Sequence, residues 1–260
     1  TPNQLLYDVQ HYTLHLLPDF DQESITGLVE VEFISMVDGL NLIELDLFQS
    51  LQALVATDER GSVLDFTHEN DLVGIQLNAP LGMGESGTVK VSYQGSPEPA
   101  GFLGLQFLDH AGTPILATLS EPYYSRSWWP CKDLPYDKST ATIHVRVPSE
   151  FYCASNGILT EVLPHGDGTS TYTYETSYPI SSYNISLAAT NYVGWTETWQ
   201  SPSGKSMEIE YRVFPEDLAA AQIDFANTRA MLDLYSELFG EYPFVDEKYG
   251  MAEFIFEGAM

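Results

Sequence analysis

Alternation with a period of two runs through the first two-thirds of this 260-residue chain and commits it to β structure. Ile25, Gly27, Val29, Val31 and Phe33 alternate with Thr26, Glu30 and Glu32. Ile43, Leu45 and Leu47 alternate with Glu44 and Asp46. Val73, Ile75 and Leu77 form a third set, and Val89, Val91 and Tyr93 a fourth. Successive side chains of a strand point to opposite faces, so each set predicts one buried face. Turn-forming residues separate the sets at 58–61, 79–87 and 95–100. The run His165-Gly166-Asp167-Gly168 predicts a hairpin tip between strands at 160–163 and 172–174. Further strands are expected at 183–189, 192–199 and 207–213. Many short strands at this spacing imply a sandwich or an extended, saddle-like antiparallel sheet.

The densest chemistry lies between 117 and 148, ATLSEPYYSRSWWPCKDLPYDKSTATIHVRVP. Pro122, Pro130 and Pro135 each remove a backbone donor and fix φ, so the first part reads as irregular chain. A strand follows at 141–147, with Ile143, Val145 and Val147 on one face and Thr142, His144 and Arg146 on the other. Aromatic bulk beside a polar loop can fix a site against a rigid sheet. Trp128 and Trp129 serve equally as the core of a buried crossover with no chemistry, and residue type alone favours that reading.

With 37 acidic against 10 basic residues, the net charge of −27 argues against nucleic acid and anionic membranes as partners. No apolar run approaches the ~20 residues of a membrane span. The opening TPNQLLYDV has no basic start and no apolar stretch, so no signal peptide is expected. The missing initiator Met predicts a processed product or an excised piece of a longer chain. The compartment stays open: a soluble protein, cytoplasmic or exported. Cys131 and Cys153 supply neither a metal framework nor a disulfide scaffold and are expected to be small buried hydrophobes. His11 and His15 have the spacing of a zinc helix, but they fall in a β-patterned stretch. Residues four apart in a strand lie ~13 Å apart, too far to share an ion.

The pattern changes at 214. Pro215-Glu216-Asp217 opens a helix, with Pro and acids where the first turn favours them. Leu218, Ala221, Phe225, Thr228, Leu232, Tyr235 and Phe239 predict one mostly apolar face along a single helix of about six turns. Gly240 is the expected C-cap, Pro243 prevents continuation, and a strand is expected at 249–256. A helix and a strand cannot enclose a core alone. The chain therefore divides into an N-terminal β domain, 1–213, and the incomplete beginning of a second domain, 214–260.

Four places together resemble the aminopeptidase N family of zinc metallopeptidases. The opening YDVQHYTLHLLPDFDQESITGLVEVEF is similar to that family's first hairpin. Glu121-Pro122, Arg126, Pro130-Cys131, Asp133 and Pro135 are similar to its E-P…R…P-C-x-D-x-P signature. The run FGEYPF at 239–244 resembles its helix-ending Y-P-F element. The terminal Gly258-Ala259-Met260 resembles the start of its G-A-M-E-N exopeptidase motif. This chain departs from the pattern at Leu119 and Ser120, where Gln and Phe are usual, at Tyr124, and at Trp128-Trp129.

The resemblance implies the N-terminal part of a zinc-dependent aminopeptidase that removes N-terminal amino acids from peptides. It implies a zinc ion in the full-length protein, on an H-E-x-x-H helix further along, and none in this fragment, which is expected to be inactive alone. Metal ligands and catalytic residues are accordingly expected to be absent from 1–260. The substrate's free α-ammonium offers three donors that carboxylates can accept, and the matching acid here is Glu121. Gly258 and Ala259 would offer backbone groups to an extended peptide, and Met260 would line the first side-chain pocket. Arg126 and Asp133 are expected to form an ion pair that fixes the loop. The expected partners are peptides with a free N-terminus and the remaining catalytic and C-terminal domains of the same chain. The competing class is a non-catalytic β module for protein or carbohydrate binding.

Overall fold

The computed structural model describes residues 1–101 and 104–255, and it is mainly β. The strands are, in chain order, β1 Tyr7–Asp19, β2 Ser24–Ser35, β3 Leu40–Asp46, β4 Leu51–Asp58, β5 Val63–Leu64, β6 Phe66–Glu69, β7 Leu72–Leu81, β8 Ser86–Gly95 and β9 Gly104–His110. They continue as β10 Thr113–Leu119, β11 Ser139–Pro148, β12 Tyr152–Ser155, β13 Ile158–Pro164, β14 Thr169–Ile180, β15 Leu187–Thr190, β16 Val193–Gln200, β17 Ser206–Val213 and β18 Lys248–Ala252. An eight-stranded sheet has the order β13-β14-β11-β1-β2-β8-β4-β5. A four-stranded sheet, β12-β15-β10-β9, and a three-stranded sheet, β3-β7-β6, share one hydrophobic core with it. The alternating sets point where their period requires. Leu14, Val29, Val31, Phe33, Val89, Val91, Ile143 and Val145 are all fully buried, together with Ile43, Leu45, Val73 and Ile75 of the smaller sheet.

The first hairpin and the His165–Gly168 tip form as expected, joining β1 to β2 and β13 to β14. One pairing is not written in the alternation. β1 and β11 lie side by side in parallel, with Leu14 opposite Ile143 and His15 opposite His144. Alternation assigns a face to a strand but says nothing about its neighbour.

Three expected elements are shorter or broken. The strand expected at 183–189 begins instead as a 3-10 turn, Ser182–Asn184, and β15 takes only the later part. Ser182 turns its hydroxyl to Asp133 Oδ1, 3.1 Å away, and the Asn184 amide closes on Ser181 O at 2.9 Å, so local bonds displace the ladder. The strand expected at 249–256 ends at Ala252 within the described residues. The single long helix is two, α1 Leu218–Asp224 and α2 Thr228–Phe239, joined by a 3-10 turn at Phe225–Asn227. The Thr228 hydroxyl donates to Phe225 O at 2.9 Å, a local bond that accompanies the tightened turn. Gly240 caps α2 with φ +98° and an amide bond to Ser236 O of 3.1 Å. The buried face of the pair runs through Ala221, Thr228, Leu232 and Ser236, whereas Tyr235 and Phe239, expected on it, face outward.

The hairpin β16–β17 does not join the large sheet. Its strand β17 pairs in parallel with β18, Tyr211 opposite Met251, and α2 packs on this separate core through Leu232, beside Trp199, Met207, Ile209, Tyr211 and Val245. One sheet therefore spans both sides of residue 213. No helix among the described residues is long and apolar enough to cross a membrane.

Candidate functional site

β10 carries the chain to Glu121, and the loop behind it is held from several directions. Arg126 Nε donates to Asp133 Oδ2 at 2.9 Å, and its Nη1 lies 3.1 Å from Asp46 Oδ1. Burial works against the guanidinium charge, but Asp46 and Asp133 outweigh it and hold Arg126 above its ordinary value. Asp46 Oδ2 accepts from Gln4 Nε2 at 2.7 Å and from the Asp133 amide at 3.1 Å. Main-chain bonds between Asp46 and Cys131 run both ways, at 2.7 and 3.1 Å. Tyr12 Oη accepts the Lys132 amide at 3.0 Å, and buried Lys132 pairs with Asp137. The irregular chain after Pro122 is thus clamped onto β1 and β3.

Within that clamp one charged group is left over. Glu121 Oε2 is buried and has no hydrogen-bond partner among the described residues. Two neutral atoms of the same loop, Ser125 Oγ and Trp129 Nε1, are also buried and unpartnered. The carboxylate oxygen is the more consequential of the three, because it belongs to a group that only accepts and can take a cationic donor. Both Trp128 and Trp129 are fully buried, so the aromatic pair serves the core as residue type suggested. The acid beside it is what that reading left unexplained.

A second polar cluster joins Tyr152 of β12 and Tyr174 of β14 to the β16-β17-β18 sheet, and it was not foreseen. Glu210 of β17 is buried and receives Arg212 Nε at 2.8 Å and Lys248 Nζ at 2.6 Å. The Tyr152 hydroxyl also donates to it. Arg212 lies over the Tyr152 ring at 3.6 Å, and Lys248 over the Tyr174 ring at 4.7 Å. Burial raises the Glu210 carboxyl, but Lys248, Tyr152 and Arg212 together leave it below its ordinary value. A cleft of about 530 Å³ opens beside the cluster, walled by Thr118, Asn156, Glu210, Arg212, Lys248 and Phe254 among others. Glu210 follows the outward phase of its strand, between inward Ile209 and Tyr211. Its burial comes from β12 and β14 covering that second face, which no local pattern announces.

Of the four residues expected to meet substrate, Glu121 is described; Gly258, Ala259 and Met260 lie outside the described residues. Phe254 packs against the cluster that contains Ile115 and Ala117 of β10. Phe254 therefore lies beside the strand that leads to Glu121. Its neighbour Glu253 is held, with its amide on Arg212 O and its carboxylate on the Phe214 amide, each at 2.9 Å.

The remaining candidates are structural. His11 meets the hydroxyls of Thr140 and Thr142, and His15 stacks on His144 at 4.5 Å. Cys131 and Cys153 are buried and unpaired; burial pushes the first thiol far up and the second to about 12, so neither is a poised nucleophile. Among the described residues no group of three or more His, Cys, Asp or Glu could hold a metal ion, so those residues do not fit a zinc ion.

Residues 8–184 match the Peptidase M1 N-terminal domain. Leucine aminopeptidase 2 of Vanderwaltozyma polyspora is 26% identical over 194 residues, 70% of this chain and 28% of its own length. Glutamyl aminopeptidase of Homo sapiens is 31% identical over 125 residues, 48% of this chain and 13% of its own. A two-domain M1 zinc metallopeptidase crystallised with L-tryptophan superposes with a TM-score of 0.82 at 28% identity, over 95% of this chain and 56% of that one. An M1 zinc metallopeptidase of Deinococcus radiodurans, bound to a Tyr-Ser-Ala substrate, gives a TM-score of 0.80 at 28% identity with the same coverage. The chain thus spans little more than half of these solved neighbours and under a third of the yeast enzyme.

Proposed function

The chain belongs to the M1 peptidase family through its N-terminal domain, and on that premise we propose that it is the N-terminal part of a zinc-dependent aminopeptidase. Its task is to supply part of the pocket that receives a peptide's free N-terminus. Glu121 accepts the substrate's α-ammonium; Gly258 and Ala259 offer main-chain groups to the extended peptide; Met260 lines the first side-chain pocket. The observation that carries this reading is the buried, unpartnered Glu121 Oε2. A carboxylate held in a rigid loop without a counterion is suited to a cation that arrives from outside, and an α-ammonium is such a cation. The contact of Phe254 with the β10 cluster supports a shared site for Glu121 and the segment after it.

Zinc belongs in this proposal to the full-length protein, held by residues outside 1–260, and the fragment alone releases no amino acids. The division at 213/214, an N-terminal β domain followed by the beginning of the catalytic domain, is proposed as a division of roles, since one sheet crosses it. The rest of the catalytic domain is the proposed partner of the outer face of α2. There Met231, Leu234, Leu238 and Phe239 are 51%, 50%, 61% and 82% exposed, a stripe too apolar to be a finished surface.

The test is the full-length protein on aminoacyl chromogenic amides. Activity should stop on chelation and return with zinc. Glu121→Ala should lower kcat/KM for free-amine substrates by roughly 10- to 100-fold, mostly through KM, the worth of one charge-assisted hydrogen bond. An unchanged specificity constant, or hydrolysis indifferent to chelators, refutes the proposal.

A further inference from the structure

Glu121 Oε2 has no hydrogen-bond partner among the described residues, so no bond to that oxygen fixes its aim. Its direction must be set by the main chain on either side. On one side is Ser120, which is 1% exposed and doubly tied. Its Oγ accepts Trp128 Nε1–H at 3.0 Å, and its carbonyl accepts the Tyr124 amide at 3.0 Å. Trp128 is itself immobilised. Its ring is fully buried, and its carbonyl accepts the Tyr93 hydroxyl of β8 at 2.9 Å. A continuous line of buried hydrogen bonds thus runs from the eight-stranded sheet through Tyr93 and Trp128 to Ser120, one residue short of the acid.

We propose that the Trp128 indole N–H and the Ser120 hydroxyl form a positioning pair that sets where the Glu121 carboxylate meets the substrate's ammonium. The inference rests on the role proposed for Glu121. Buried polar groups that are paired rigidify what they hold, and a buried indole N–H that loses its acceptor loses the bond that ties its ring to the loop. Ser120→Ala removes the acceptor and releases the indole, while the main-chain bond from the Tyr124 amide to the carbonyl of residue 120 stays.

The test is a double-mutant cycle in the full-length protein on a free-amine aminoacyl amide. Ser120→Ala should raise KM about tenfold with kcat within about twofold. Ser120→Cys, nearly the same shape and a weaker acceptor, should fall between. In a Glu121→Ala background, Ser120→Ala should change KM by less than about twofold, because there is no longer a carboxylate to aim. Trp128→Phe, which deletes the N–H and keeps an apolar ring, should show the same dependence on Glu121 and replaces Ser120→Ala if that variant does not fold. An unchanged KM in Ser120→Ala, or an equal loss with and without Glu121, overturns the proposal and leaves the pair as ordinary core. If Glu121→Ala alone changes nothing, the role of Glu121 has failed first and takes this inference with it.

Discussion

One methyl group at Gly27 tests how the core supports the loop. A Cβ at this position would lie 2.5 Å from Tyr93 Cε1 and 2.7 Å from its hydroxyl oxygen. Carbon atoms in contact sit about 3.5–4.0 Å apart, so the ring must retreat by about 1 Å. It has no free space to enter, since Tyr93 is 0% exposed. Retreat also breaks the hydrogen bond from its hydroxyl to Trp128 O, now 2.9 Å. Overpacking costs about 1–3 kcal/mol, and a buried hydroxyl left without a partner about 1–3 more. Gly27→Ala should therefore destabilise by about 3 kcal/mol, a Tm about 10 °C lower for a domain of this size. Thermal and urea unfolding followed by tryptophan fluorescence measure it. Tyr93→Leu vacates the contested space, so the double variant should lose less than the sum of the single ones. A cost below about 0.5 kcal/mol, or strict additivity, would show that the ring has slack and that the line from β2 to the loop is not rigid.

Other consequences follow from the polar clusters. Burial lowers His15, with Glu30 opposing and Lys90 assisting; burial and the facing His15 lower His144, against Glu161, Glu175 and Glu30. The unfolded chain, titrating near 6.5, then takes up protons before the folded one. Their contribution to stability is complete above that pH and is lost as pH falls from there through the lower folded values. Replacing both histidines with Gln should flatten the pH dependence of unfolding between about pH 7.5 and 5 relative to wild type, and an identical slope would contradict the assignment. Glu210→Gln strands Arg212 and Lys248 beside a neutral amide and should cost about 3 kcal/mol; a loss within error would mean water already screens the cluster. Asp133→Asn removes the charge that Arg126 Nε meets at 2.9 Å, and should loosen the loop, read as faster amide exchange at 124–133 with the large sheet unaffected.

What could be read without coordinates was whatever depends on a residue and its near neighbours. Val29, Val31 and Phe33 announce an inward face because a strand's period is two, and Gly240 announces a helix end because it adopts a φ that other residues resist. What could not be read depends on a second partner brought from far away. The parallel contact of β1 with β11 joins His15 to His144, 129 positions apart, and no periodicity carries that information. Glu210 has the spacing of a solvent-facing acid but is buried, with the Tyr152 hydroxyl donating to it and its cationic partners Arg212 and Lys248 lying over the Tyr152 and Tyr174 rings. The helix breaks at Phe225 although its apolar spacing continues; Thr228 spends its hydroxyl on a nearby carbonyl, a choice a hydrophobic pattern does not register. Glu121 stands between these cases. Its motif context singles it out from 37 acids, but nothing local shows that one of its oxygens is buried and unpaired. That property comes from a loop fixed elsewhere, by Arg126 to Asp46 and by Trp128 to Ser120. The carboxylate proposed to meet substrate is ordinary in type and unusual in what surrounds it, and those surroundings are set by packing rather than by its near neighbours in sequence.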